Sequence, residues 1–294
     1  MCFVIEYSYT IAMNTKEKKP RSLDEIDPKM MARIQSLRLM DDDFMSIVFD
    51  GDTELTEFTL KILLERDDLR VKSVLTQKEK HNLYGRSVRL DILAEDTEGK
   101  VYNVEIQRAD KGADARRVRY NLAMLDSHIL KRNDNFSALP ETYIIFITEN
   151  DLYEQNKPLY TVRKFFDCTD KNGKDLLFED GVHTIYVNGA YRGNNAIGYL
   201  MHDFCTPKAD EMYFREIAEK VRYHKQETQE VNQVCRAFEE YGNEVAAVRE
   251  AETKAMVIEN LLQQHKLSVE EIAEVANVSI EKVKELAKKR EEPN

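Results

Sequence analysis

Strict alternation of apolar and polar residues marks two neighbouring stretches as the arms of a β-hairpin. In Val88-Arg89-Leu90-Asp91-Ile92-Leu93, the residues Val88, Leu90 and Ile92 share one face, and Arg89 and Asp91 share the other. In Val101-Tyr102-Asn103-Val104-Glu105-Ile106-Gln107, the apolar Tyr102, Val104 and Ile106 lie on one side while Glu105 and Gln107 point together to the opposite one. The polar run Glu95-Asp96-Thr97-Glu98-Gly99-Lys100 reads as the turn, which sets Asp91 roughly opposite Glu105.

The period changes on either side of this hairpin. From Asp43 to Glu65, Phe44, Ile47, Val48, Leu55, Phe58, Leu60, Ile62 and Leu63 recur at helical spacing with a break near Gly51, which predicts two helices. A strand is expected over Leu69–Leu75, and a helix from about Asp114 to Lys131 carries Val118, Leu122, Leu125 and Ile129. Thr142–Thr148 is an unbroken β-branched and aromatic run of the kind buried on both faces, and Val182–Val187 is a second strand ending at Asn188-Gly189. Helices, hairpin, helix and further strands predict an α/β core with mixed strand directions.

After Pro207 the chain turns polar, with helical recurrence at Ile217, Val221, Val231, Val234 and Phe238, and reads as a helical extension serving as spacer, cover or dimer contact. Near the end, Ser268 with Glu271 forms a capping box, Asn277-Val278-Ser279 a turn with a second cap, and Val283 and Leu286 a second apolar face. That is a helix-turn-helix pattern. Because Glu281 and Glu285 lie beside Lys282 and Lys284, a structural hairpin and a DNA contact both stay open. Four segments follow: an N-terminal extension over 1–38 expected to be poorly ordered, a core over 39–206, a helical extension over 207–259 and a terminal hairpin over 260–294.

Composition narrows the classes. The 294 residues are 42% hydrophobic and 33% charged, as in a soluble globular protein, and no apolar run approaches the roughly 18 residues of a membrane span. Cys2, Cys168, Cys205 and Cys235 lack metal-ligand spacing, so reduced thiols and a cytoplasmic setting are expected. Met1–Ala12 has no basic n-region and contains Glu6, which argues against a signal peptide; ordered structure is expected from about Met13 or later. A net charge of −11 is wrong for a surface that coats nucleic acid, but Arg86, Arg89, Arg108, Arg116, Arg117 and Arg119 cluster around the hairpin and the segment after it. Such a cluster serves either a local basic groove or a solvated, neutralised surface.

Two carboxylates facing each other across a hairpin are hard oxygen ligands suited to Mg²⁺, with Gln107 on the same face able to hydrogen-bond a water or phosphate oxygen. The same pattern also decorates many soluble sheets. The wider sequence is more specific. Arg86-Ser87-Val88-Arg89-Leu90-Asp91-Ile92, Asn103-Val104-Glu105-Ile106-Gln107-Arg108 and Arg117-Val118-Arg119-Tyr120 resemble the PD-(D/E)XK nuclease family transposases, the recombination-promoting nuclease group. Phe44 with Thr53-Glu54, Thr76-Gln77, Ile147-Thr148, Tyr186-Val187-Asn188-Gly189 and His202-Asp203-Phe204 resemble further landmarks of that family in the expected order.

The resemblance implies a restriction-endonuclease-like mixed sheet flanked by helices and a Mg²⁺-dependent DNA endonuclease, with Mn²⁺ able to substitute. It assigns metal binding to Asp91 and Glu105, assistance of the nucleophile to position 107, and a completing acid to Glu54, which as a helix-start acid also suits the macrodipole without any catalytic role. The departure is at position 107, where Gln stands in place of Lys and cannot supply positive charge to the reacting phosphate. Arg89, Arg116 and Arg117 are the candidates to supply it, and with Arg86 and Tyr120 they are the candidate DNA contacts. Tyr120 also suits core packing. The competing implication is an inactive DNA-binding or regulatory protein; self-association through the C-terminal helices is a further expectation.

Overall fold

The computed structural model describes residues 21–80, 88–108, 114–264 and 267–291. Chain entry is made by short helices whose starts are chemically signalled. Helix α1 (Pro28–Ser36) begins with proline at its first turn, and its cap Asp27 accepts the Lys29 N–H at 2.7 Å. Helix α2 (Asp42–Phe49) turns through Gly51, at a φ of +65°, into α3 (Thr53–Leu64), which is capped by Asp52 accepting the Leu55 N–H at 2.9 Å. The segment 21–38 is therefore structured, against the expectation of a poorly ordered extension over 1–38: Ile26, Ile34 and Leu37 are all buried. Residues 1–20, which include the Met1–Ala12 segment, lie outside the described residues.

The sheet follows. Strands β1 (Val71–Lys80), β2 (Val88–Asp96) and β3 (Val101–Gln107) are successively antiparallel. The turn between β2 and β3 is closed by Asp96, whose Oδ1 accepts the N–H groups of Glu98 and Lys100, both at 2.9 Å, and whose Oδ2 takes the Tyr102 hydroxyl at 2.8 Å. Gly99 supplies the positive φ, +82°, that this closure requires. Helix α4 (Ala115–Ile129) then crosses over to β4 (Thr142–Thr148), which lies parallel to β3.

Beyond β4 come β5 (Leu159–Thr161), a separate two-stranded arm of β6 (Phe165–Thr169) and β7 (Asp175–Leu177), and β8 (Val182–Asn188). Strand β8 pairs parallel with β4 and antiparallel with β5, giving a mixed six-stranded sheet of order β1-β2-β3-β4-β8-β5. Helix α4 covers one face, where Val118 packs on Ile144, Phe146 and Tyr186. The other face carries a stack of Tyr102, Tyr143 and His183, with ring centroids 4.9 and 4.3 Å apart. Helices flank this mixed sheet, as the alternation and helical spacing predicted, in the restriction-endonuclease-like arrangement that the resemblance implied.

Helix α5 (Ala196–Cys205) carries in its last turn Asp203, fully buried, whose carboxylate accepts the N–H groups of Tyr213 and Phe214 at 2.8 Å and so fixes the entry to α6 (Arg215–Gln226). Helix α6 buries Ile217, Ala218 and Val221, so it belongs to the same body as the sheet. The division falls later than residues 206/207, between Val234 and Cys235 inside α7 (Thr228–Gln264). The second unit, Cys235–Asn294, contains the rest of α7 with α8 (Val269–Ala276) and α9 (Ile280–Glu291). Its core is Ile258, Ile272, Ala273, Ala276 and Val283; the Ser268–Glu271 capping box is formed, and Asn277 takes the left-handed conformation, φ 51°, between the two short helices. Among the described residues no helix is long and apolar enough to cross a membrane.

Candidate functional site

Burial separates the two carboxylates from surface decoration. Glu105 is 0% exposed, because β3 is an interior strand covered on both faces, and Asp91 is mostly buried on the neighbouring β2. Both lie one position beyond the Ile92–Val104 pair of the ladder. The Oδ2 of Asp91 accepts the backbone N–H of Ile106 at 2.9 Å, which ties it to the strand carrying Glu105. In register with Glu105, β4 contributes Phe146, and α4 lies over this face with Arg117 beside the buried Val118.

The guanidinium of Arg117 is the centre of the contacts. Its Nη2 bonds Glu105 Oε2 at 3.0 Å, its Nη1 donates to Gln107 Oε1 at 2.6 Å, and its carbon sits 5.8 Å from the centroid of the Phe146 ring. Arg116 and Arg117 stand in the first turn of α4, after the cap Asp114, where cations oppose the helix macrodipole. Helix stability does not account for arginines in that position. The positive charge that Gln107 does not carry therefore reaches position 107 from the helix.

Both carboxyls hold protons more tightly than free side chains. For Glu105, burial is the main cause and the charge of Asp91 the second, offset in part by Arg117. For Asp91, burial again leads; the Ile106 N–H and the Arg117 and Arg89 charges oppose it, and Asp42 adds to it. Glu105 Oε1 is buried with no hydrogen-bond partner. Asn103, two residues back on the same strand face, lies close enough to ease the charge of Glu105, yet neither of its own buried amide atoms meets a partner in hydrogen-bond geometry. A buried carboxylate pair with an orphaned oxygen fits a divalent cation, which supplies both the countercharge and the missing partner. Among the described residues no group of three or more His, Cys, Asp or Glu side chains is already gathered as a metal cluster.

Arg89, Arg116, Arg117 and Tyr120 line one cleft of about 850 Å³ together with Val88, Asp114 and Asn121. These four sequence candidates are thus brought together beside Asp91 and Glu105, whereas Arg86 lies outside the described residues. Glu54 is not brought to the carboxylate pair. It is exposed at the start of α3 and lines a different hollow, with Asp50, Asp52, Lys220, Tyr223 and His224. The helix acid whose charge acts on Asp91 is Asp42, in the first turn of α2. Its neighbour Asp43 is raised by burial and by Asp42, and Gln77 Nε2 approaches it at 3.5 Å. The signal for this was present as the run Asp41-Asp42-Asp43, but acids at a helix start need no other reason to be there. Arg108 points away from the pair, as its alternation demands, into an ion-pair ring: it meets Asp41 at 2.8 Å and Glu149 at 3.4 Å, and Arg38 meets Glu149 at 3.0 Å.

A mixed sheet whose hairpin sets an acid on each arm resembles the arrangement of the PD-(D/E)XK class of nucleases, with the amide of Gln107 standing where that class has lysine. Residues 54–188 match the family model of the PD-(D/E)XK nuclease family transposase, so the sheet-bearing part of the chain is similar to that family. No curated protein and no solved structure matches the chain.

Proposed function

We propose that this protein is a Mg²⁺-dependent DNA endonuclease, with Mn²⁺ able to substitute, and that Asp91 and Glu105 hold the ion. The observation that carries this reading is the buried, half-partnered carboxylate of Glu105 beside Asp91, at the edge of an arginine-lined cleft. The ion supplies Lewis-acid activation of water and of the scissile phosphate when bound. The chain does the rest. Asp91, held by the Ile106 N–H, and Glu105, fixed in an interior strand, offer preorganised oxygens. Arg117 brings charge to the place where phosphate negative charge grows, and Gln107 orients it through its amide oxygen. Arg89 and Arg116 bind flanking phosphates, and Tyr120 closes the cleft wall. Asp42, whose charge acts on Asp91 from the first turn of α2, is the candidate for the acid of the first helices, in place of Glu54.

Supercoiled plasmid incubated with purified protein and Mg²⁺ should be nicked or linearised. Asp91→Ala and Glu105→Ala should each abolish cleavage, whereas Glu54→Ala should leave it within about twofold of the parent, as for a surface change remote from the chemistry. Cleavage that survives in both carboxylate variants would sink the assignment. Self-association through the C-terminal helices belongs to the same proposal. It is supported by apolar side chains left exposed in the second unit, Met256 and Val275, and light scattering across a concentration series tests it.

A further inference from the structure

We propose that Arg117 is a resident counter-cation that an entering divalent ion displaces from Glu105, and that the released guanidinium then binds a substrate phosphate in the adjoining cleft. The inference rests on the metal-site reading above and specifies how the site is loaded. Three observations carry it. First, the two oxygens of Glu105 are in opposite situations: Oε2 is bonded to Arg117 at 3.0 Å, while Oε1 is buried and unpartnered. The carboxylate is thus only half neutralised, and an ion arriving at it meets a positive charge already in place.

Second, the hold of Gln107 on Arg117 is neutral. Gln107 Oε1 accepts from it at 2.6 Å, and an amide loses far less than a carboxylate would when the guanidinium leaves. A lysine at position 107 would repel Arg117 from this place altogether, so the Gln-for-Lys departure and the Arg117 contact are one arrangement. Third, Arg117 has somewhere to go. Its side chain is 41% exposed, and it lines the cleft that Arg89, Arg116 and Tyr120 also line. Two like charges on one buried carboxylate repel, and a planar guanidinium suits a phosphate in the cleft as well as it suits a carboxylate.

A merely structural ion pair makes the opposite prediction. If Arg117 only braces Glu105, its loss loosens the site and weakens metal binding. If it competes with the ion, its loss tightens metal binding while weakening DNA binding. The full chain is titrated with Mn²⁺ by isothermal calorimetry as wild type, Arg117→Met, Arg117→Lys and Glu105→Ala, with circular dichroism melts as a control for folding. Arg117→Met should bind Mn²⁺ about five- to tenfold more tightly than wild type, the equilibrium equivalent of one partly buried ion pair. Arg117→Lys, which keeps the charge but cannot span Glu105 and Gln107 together, should fall between. DNA affinity, measured with Asp91→Asn as the background to prevent cutting, should fall in Arg117→Met and lose part of its salt dependence.

Equal or weaker Mn²⁺ binding in a folded Arg117→Met overturns the exchange while leaving the site reading intact. Should that variant fail to fold, Arg117→Lys decides, and binding no tighter than wild type overturns the proposal. A wild type that takes up no more Mn²⁺ than Glu105→Ala overturns the metal site itself, and the exchange with it.

Discussion

Glu105 pays for its position in the currency of protonation. Its carboxyl, like that of Asp91, is raised by burial, so the folded chain binds these protons more tightly than the unfolded chain does. The sign follows: the contribution to stability is fully present below the ordinary carboxylate range and is lost as pH rises through the raised values. Without divalent ions, Glu105→Gln should therefore raise the thermal midpoint at pH 8, by the equivalent of about 1–2 kcal/mol, and leave it unchanged near pH 4. Melts at the two pH values, with EDTA present, check this. Added Mg²⁺ should stabilise the parent chain more at pH 8 than at pH 6, because the ion needs both carboxylates ionised. At this scale the sequence was legible in part. Alternation put Asp91, Glu105 and Gln107 on one strand face, but the source of the missing positive charge could only be narrowed to three arginines. Choosing Arg117 required the placement of α4 over β3, which no local pattern encodes.

Between elements, Lys225 does for the helices what the hairpin turn does for the strands. From α6 its buried ammonium donates to the carbonyls of Gln35 at 3.0 Å and Leu37 at 2.6 Å, and to that of Pro207, and it lies 5.3 Å from the centre of the Phe44 ring. Burial pulls its pKa down to about 8, which still leaves it charged at neutral pH. Lys225→Met should cost about 2–4 kcal/mol, since three carbonyl oxygens would face a methyl group; urea denaturation measures it. This anchor explains why the extension expected from residue 207 onward is partly core. Its apolar positions Ile217 and Val221 were readable as a helix face, but what that face covers was not. The hairpin, the helices over 43–65 and the strands over 142–148 and 182–187 were legible because each has a clean period of two, a clean helical period or a continuous apolar run. Strands β5, β6 and β7 were not: three to five residues, mostly exposed, leave no period to read.

For the whole molecule, the division inside α7 predicts separable behaviour. A fragment over 235–294 should be helical by circular dichroism and melt cooperatively, because α8 and α9 share the core of Ile258, Ile272 and Val283 with the end of α7. A featureless, non-cooperative melt would show that this core does not suffice. The first unit carries a different kind of subdivision. In the arm every residue of β6 and β7 is exposed, including Phe165, Phe166, Leu176 and Leu177, and its tip is closed by Asp170, whose carboxylate accepts the N–H groups of Asn172 and Lys174. No residue of either strand belongs to the buried core, so the arm should open locally while the sheet stays folded. Its amide protons should exchange with solvent many times faster than those of β3 and β4, and a protease should nick the chain between Asp170 and Lys174 while leaving both halves of the sheet together.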